Sequence, residues 1–139
     1  HSDGANYLWC ELPSERLLSY PKPRWETYTT PWGEDRVGAT FQSHFKPAAG
    51  EEPIRLHARG ALLFQNTVQA VAADVLREAL LEADDAGLAI VLHCHDEIAV
   101  QGSYEDGETL NKIMLQEPWW ADGLPLATGG VSWGKRYGK

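Results

Sequence analysis

The chain has 139 residues, 43% of them hydrophobic and 23% charged, and its 12 basic and 20 acidic side chains give a net charge of −8. That length and composition suit one globular domain with a real core, and the acidity on its face argues against a nucleic-acid-binding surface. No apolar run approaches the roughly 20 residues that span a bilayer, and no secretory pattern opens the chain.

Taken in order, Tyr7 to Leu12 and Arg16 to Tyr20 read as two strands joined by Pro13-Ser14-Glu15, followed by the rigid Pro21-Lys22-Pro23. Residues 26–36, with Pro31 and Gly33, read as a loop. Val37 to Phe45 and Ile54 to Ala58 suggest a second hairpin around the Pro47-to-Pro53 connection. The strongest helix runs from about Asn66 to Ala86. Val68, Val71, Ala72, Val75, Ala79 and Ala83 recur at helical spacing, and Leu76 and Leu80 widen that face. Asp74, Glu78, Glu82 and Asp85 supply its wet side, and Gly87 is the stop signal.

Apolar Leu88 to Leu92 and Ile98 to Val100 then flank His95-Asp96-Glu97 as a hairpin whose tight turn carries the acids. A second helix is expected from about Glu105 to Leu115, ended by Pro118, and Leu124 to Ser132 returns as a strand. This order of hairpins, helix, hairpin, helix and strand predicts an α+β fold with antiparallel hairpins packed on a long helix.

The charge is uneven. Residues 16–59 hold seven bases (Arg16, Lys22, Arg24, Arg36, Lys46, Arg55, Arg59) against five acids, a local +2 that leaves −10 on the rest. Cys10 and Cys94 lack CxxC spacing. A reduced, cytoplasmic setting is the simpler reading, and a single Cys10–Cys94 bridge is the alternative. A first residue of His1 rather than Met reads as a fragment of something longer.

A turn rich in ionisable side chains, held on rigid strands, is where a metal or catalytic site is built. His93 and His95, two apart on a presumed strand, project from one face, with Cys94 on the other. Two imidazoles with acids are the beginnings of a zinc site, although a hairpin alone does not establish three ligands. Asp96 at the turn suits Mg²⁺ better, because that ion takes one or two protein carboxylates and completes its shell with waters and substrate phosphates. A solvated acidic turn is the competing reading.

Gln69 stands in line with Ala73, Leu76 and Leu80. Either it closes a capping box with Asn66 as N-cap, or it presents its amide to a ligand edge such as a base edge in a minor groove. Trp119 and Trp120 after Pro118 read as a plug closing a terminal loop, with base stacking the alternative. Lys135-Arg136-Tyr137 is either a phosphate contact or an unstructured basic end.

Several segments together resemble a known family. Val91 to Ile98, with its His95-Asp96-Glu97 centre, resembles motif C of the family A DNA polymerases. Gln65 to Leu76 resembles the palm helix that precedes motif C in the phage branch, and Leu12-Pro13-Ser14-Glu15-Arg16 with Tyr20-Pro21 resembles that branch's LPSGR-type hairpin. Ile113-Met114, Pro118-Trp119, Ala121, Gly123 to Leu126 and Arg136-Tyr137 are similar to its C-terminal signature. The ordered set carries the resemblance, and residues 26–58 contribute least.

Two departures stand out. Glu15 replaces the usual Gly of the hairpin motif, and nothing here resembles motif A or the motif B fingers helix. The resemblance therefore implies the C-terminal part of a polymerase palm as one domain, hairpin-rich over residues 1–58, with helix, motif C hairpin, helix and terminal strand over 59–139.

For function it implies a DNA-directed DNA polymerase adding deoxynucleotides to a primer 3′ end, with Mg²⁺ as the two-ion cofactor in the complete enzyme. Asp96 would be the metal-binding catalytic carboxylate and Glu97 an auxiliary acid, with His95 and Gln69 on the primer end and minor groove. The partners would be primer-template DNA, deoxynucleoside triphosphates and the rest of the polymerase chain, with no membrane. Without motif A the isolated piece is expected to be inactive and to hold Mg²⁺ weakly. A non-catalytic polymerase-like module that binds nucleic acid or scaffolds is the other reading, and in-frame motifs A and B upstream would decide between them.

Overall fold

A computed structural model describes residues 6–30, 32–43, 45 and 47–137. Pro31 of the expected loop, His44 of the expected strand and Lys46 of the basic group lie outside the described residues. The fold is α+β, and the chain divides into two compact units, residues 1–69 and 70–139, with the division falling inside the long helix.

In the first unit, β1 (Tyr7–Glu11) pairs antiparallel with β2 (Leu17–Pro21), Trp9 facing Ser19, as the sequence predicts. The connection is tight: Leu12 N–H donates to the Arg16 carbonyl and Glu15 N–H to the Leu12 carbonyl, both at 2.9 Å. Glu15 takes a φ of +63°, a left-handed conformation that glycine adopts freely and an L side chain only at a cost. The hairpin keeps the backbone that a glycine would give while carrying a glutamate.

Residues 26–36 are not a loop. β3 (Arg24–Thr29) and β4 (Asp35–Gln42) pair across them, and β4 also pairs with β5 (Arg55–His57), giving the order β3-β4-β5. The Trp-Glu-Thr-Tyr-Thr run of β3 alternates in burial, with Glu26 and Tyr28 inward and Trp25, Thr27 and Thr29 outward. Only a short turn remains, closed by Gly33 N–H on the Thr30 carbonyl, with Gly33 at a φ of +82°.

What holds Glu26 inward is polar. Thr40, 1% exposed, donates its hydroxyl to Glu26 Oε1 at 2.6 Å, and Arg55 Nε donates to the same oxygen at 3.0 Å. These bonds tie the three strands together. They hold the Glu26 carboxyl below its usual range, the Thr40 hydroxyl first and the Arg55 bond second, with burial opposing. Leu12, Tyr20 and Phe41 form the apolar centre of this unit, the last two rings meeting edge-on at 4.9 Å.

Helix α1 (Gly60–Asp85) starts six residues before the expected Asn66. It ends in a Schellman arrangement: Leu88 N–H reaches the Ala83 carbonyl, Gly87 N–H reaches the Asp84 carbonyl, and Gly87 takes a φ of +76°. Its buried residues are Ala70, Asp74, Ala79 and Ala83. Val68 and Ala72, assigned to the apolar face, are exposed, and Asp74, assigned to the wet face, is 2% exposed beside Arg77 at 3.5 Å.

In the second unit α2 (Tyr104–Met114) opens on a complete capping box between Ser103 and Asp106. The Ser103 backbone and hydroxyl bonds hold the Asp106 carboxyl low. Ala79, Ala83, Leu110 and Ile113 form the core of this unit, with Leu88, Ile90, Ile98, Val100 and Met114 packed against it. The helix thus packs behind the hairpin that follows it, as expected.

Leu124 to Ser132 is not a strand. It runs without regular structure, and its later contacts climb α2. Thr128 Oγ1 bonds Asn111 Oδ1, Val131 lies over Gly107, and Trp133 meets Tyr104 edge-on at 6.2 Å. Residues 111, 107 and 104 are four and three apart, one face of a helix. Among the described residues no helix is long and apolar enough to cross a membrane.

Candidate functional site

Strands β6 (Ile90–Cys94) and β7 (Glu97–Val100) form the predicted hairpin, paired Cys94 to Glu97, His93 to Ile98 and Leu92 to Ala99. The register shifts between Ile90 and Leu92, a bulge at Val91 that bends and twists the ribbon. Ile98 and Val100 anchor one side of it on the core, while residues 91–97 are exposed. An apolar root and a solvated tip follow from that division.

The turn is His95-Asp96 alone, since Glu97 already belongs to β7. His95 takes a φ of +54°, the positive φ that two-residue hairpins require at their first position. The projection of His93 and His95 from one face therefore fails, because strand alternation stops at Cys94. Among the described residues no group of three or more His, Cys, Asp or Glu is placed to hold a metal, so the zinc reading has no ligand set. Cys10 and Cys94 are both free thiols.

Asp96, Glu97 and His95 are brought together at the exposed tip. Among the described residues the Asp96 carboxylate has no hydrogen bond or ion pair. Glu97 does: Tyr137 donates its hydroxyl to Glu97 Oε2 at 2.8 Å. That bond, with burial and the nearby Glu97 and Cys94 charges, raises the Tyr137 phenol above its ordinary value. The sequence offers Lys135-Arg136-Tyr137 as a phosphate contact or a basic end and Arg136-Tyr137 as part of a C-terminal signature, but not this contact, because a partner 40 residues away leaves no local signal.

Gln69 belongs to the first unit. It lies two and a half turns inside α1, so neither it nor Asn66 caps the helix. Both amides line an open cavity of about 440 Å³ with Tyr20, Phe41, Phe45 and Leu56. Trp119 is 73% exposed and plugs nothing, whereas Trp120 is half-buried.

No family model and no solved structure matches the chain. Its sequence is 34% identical over 128 residues to a protein of Bacillus phage SP02 named DNA polymerase, an alignment covering 91% of this chain and 19% of that protein. The chain is thus related over nearly its whole length to a phage DNA polymerase, of which it spans about a fifth.

Proposed function

We propose that this chain is the C-terminal palm segment of a family A, phage-type DNA polymerase, and that the β6–β7 turn is its motif C. The observation that carries the reading is Asp96 itself. It is an exposed carboxylate, unpartnered among the described residues, at the tip of a hairpin rooted in the core, in a chain aligned almost end to end with part of a DNA polymerase.

The donor set fits Mg²⁺ in one respect. That ion is satisfied by one or two carboxylates, with water and phosphate oxygens completing the shell, and the turn offers one free carboxylate with open solvent around it. When bound, a pair of such ions stabilises the attacking and leaving oxygens of in-line nucleotidyl transfer. A second carboxylate must come from a segment resembling motif A, outside these residues, so the isolated chain is inactive on this reading.

The chain's own contribution is positional. Asp96 supplies fixed negative charge from a strand end, with Glu97 beside it as an auxiliary acid. His95 offers its imidazole to the primer terminus, and Gln69 offers an amide to minor-groove acceptors common to all base pairs, which makes those contacts independent of sequence. Primer-template DNA and deoxynucleoside triphosphates are the substrates this assigns.

The test is primer extension by a polymerase that contains this segment. Asp96→Asn keeps the shape and removes the charge, and is expected to nearly abolish nucleotide addition. Gln69→Ala is expected to weaken use of the primer terminus. Because Gln69 is exposed within α1 rather than at its cap, that variant should leave stability unchanged. Unimpaired synthesis by Asp96→Asn, or templated synthesis by the 139-residue chain alone, overturns the assignment.

A further inference from the structure

We propose that Tyr137 is a positioning residue for Glu97, delivered to it by residues 128–137 acting as a strap along α2. The path is defined by three contacts on one helix face: Thr128 on Asn111, Val131 on Gly107 and Trp133 on Tyr104. At the second of these the helix has no side chain. A Cβ on Gly107 would lie 2.8 Å from Val131 Cγ1, closer than packed carbons approach, so the glycine is what lets the strap lie against α2. Beyond Trp133 the chain reaches the hairpin, where Tyr137 donates its hydroxyl to Glu97 Oε2 at 2.8 Å.

The chemical consequence is a division of labour between adjacent acids. Glu97 accepts the phenol on Oε2, which restrains that carboxylate, while the Asp96 carboxylate has no partner among the described residues. Removing the phenol takes away one restraint on the Glu97 carboxylate, which lies next in sequence to the like charge of Asp96. Outer groups that orient a working carboxylate matter to activity although they touch no substrate. The strap itself rests on geometry alone, whereas its catalytic effect rests on the polymerase reading above.

Two measurements separate these parts. Lys135 and Arg136 lie just before Tyr137 and are exposed, so trypsin cleavage after them reports local release of the strap. In the 139-residue chain, followed by mass spectrometry, Tyr137→Phe and Glu97→Ala are each expected to speed that cleavage several-fold without changing cleavage elsewhere. The double variant should be no faster than either single one. An unchanged rate for Tyr137→Phe, additive single effects, or equal acceleration at every site overturns the strap.

In a polymerase containing the segment, Tyr137→Phe is expected to lower kcat about ten- to a hundred-fold with KM for the nucleotide unchanged. A wild-type enzyme that extends primers with an unaffected Tyr137→Phe variant overturns the positioning role alone. A wild-type polymerase that extends no primer overturns the polymerase reading and with it the catalytic effect, while the trypsin result still decides the strap.

Discussion

Val131 covers Gly107 so closely that the helix has no room there for a methyl group: its Cγ1 would sit 2.8 Å from an added Cβ. Gly107→Ala therefore sets two effects against each other. Alanine favours the helix interior by about 1 kcal/mol, while the new methyl pushes away a tail that has no regular structure to resist it. The expected outcome is a melting temperature shifted by no more than a few degrees, together with faster trypsin cleavage after Lys135 and Arg136. Unchanged cleavage would mean that Val131 turns aside without cost.

The β1–β2 connection offers a gain. Glu15 holds a φ of +63° with its N–H on the Leu12 carbonyl, so its side chain strains the backbone. Glu15→Gly is expected to stabilise the chain by about 0.5–1 kcal/mol in urea unfolding, and Glu15→Ala to give no such gain. A loss on Glu15→Gly would show that the glutamate side chain offsets the strain.

Acid sensitivity follows from two carboxylates. Glu26, under Thr40 and Arg55, and Asp106, in the Ser103 capping box, both have their folded pKa values lowered from ordinary values of 4.5 and 3.8. A lowered folded value gives stability that is complete above the unfolded pKa and is lost as pH falls through the folded one. The stability difference between wild type and Glu26→Gln is thus expected to stay constant near neutrality and to shrink once pH falls below about 4.5. A difference that widens in acid would reverse the sign argued here.

The parts of the fold legible in the sequence are those with local causes. The β6–β7 hairpin and the bodies of both helices follow from apolar runs, helical period and stop signals, each visible within a few residues. The start of α1 was hidden because Gly60 follows Ala58-Arg59, with none of the usual capping side chains there, so Asn66 looked like the beginning. Strand β3 was hidden because its inward residues include Glu26, whose partners Thr40 and Arg55 are 14 and 29 residues away. Asp74 misled for a similar reason, since a charged residue at helical spacing reads as solvated until the fold buries it. In the candidate site, Asp96 at the turn was readable from flanking apolar strands, whereas the hold of Tyr137 on Glu97 was not.

That hold spans 40 residues, and so it has a place in time. A ribosome adding roughly 5–20 residues per second makes Tyr137 about two to eight seconds after Glu97. A hairpin closes in about 1–10 μs. Each newly made copy therefore passes through an interval in which the residues of the turn are already joined and Glu97 does not yet have the Tyr137 phenol, which arrives only when the strap has been synthesised and laid along α2.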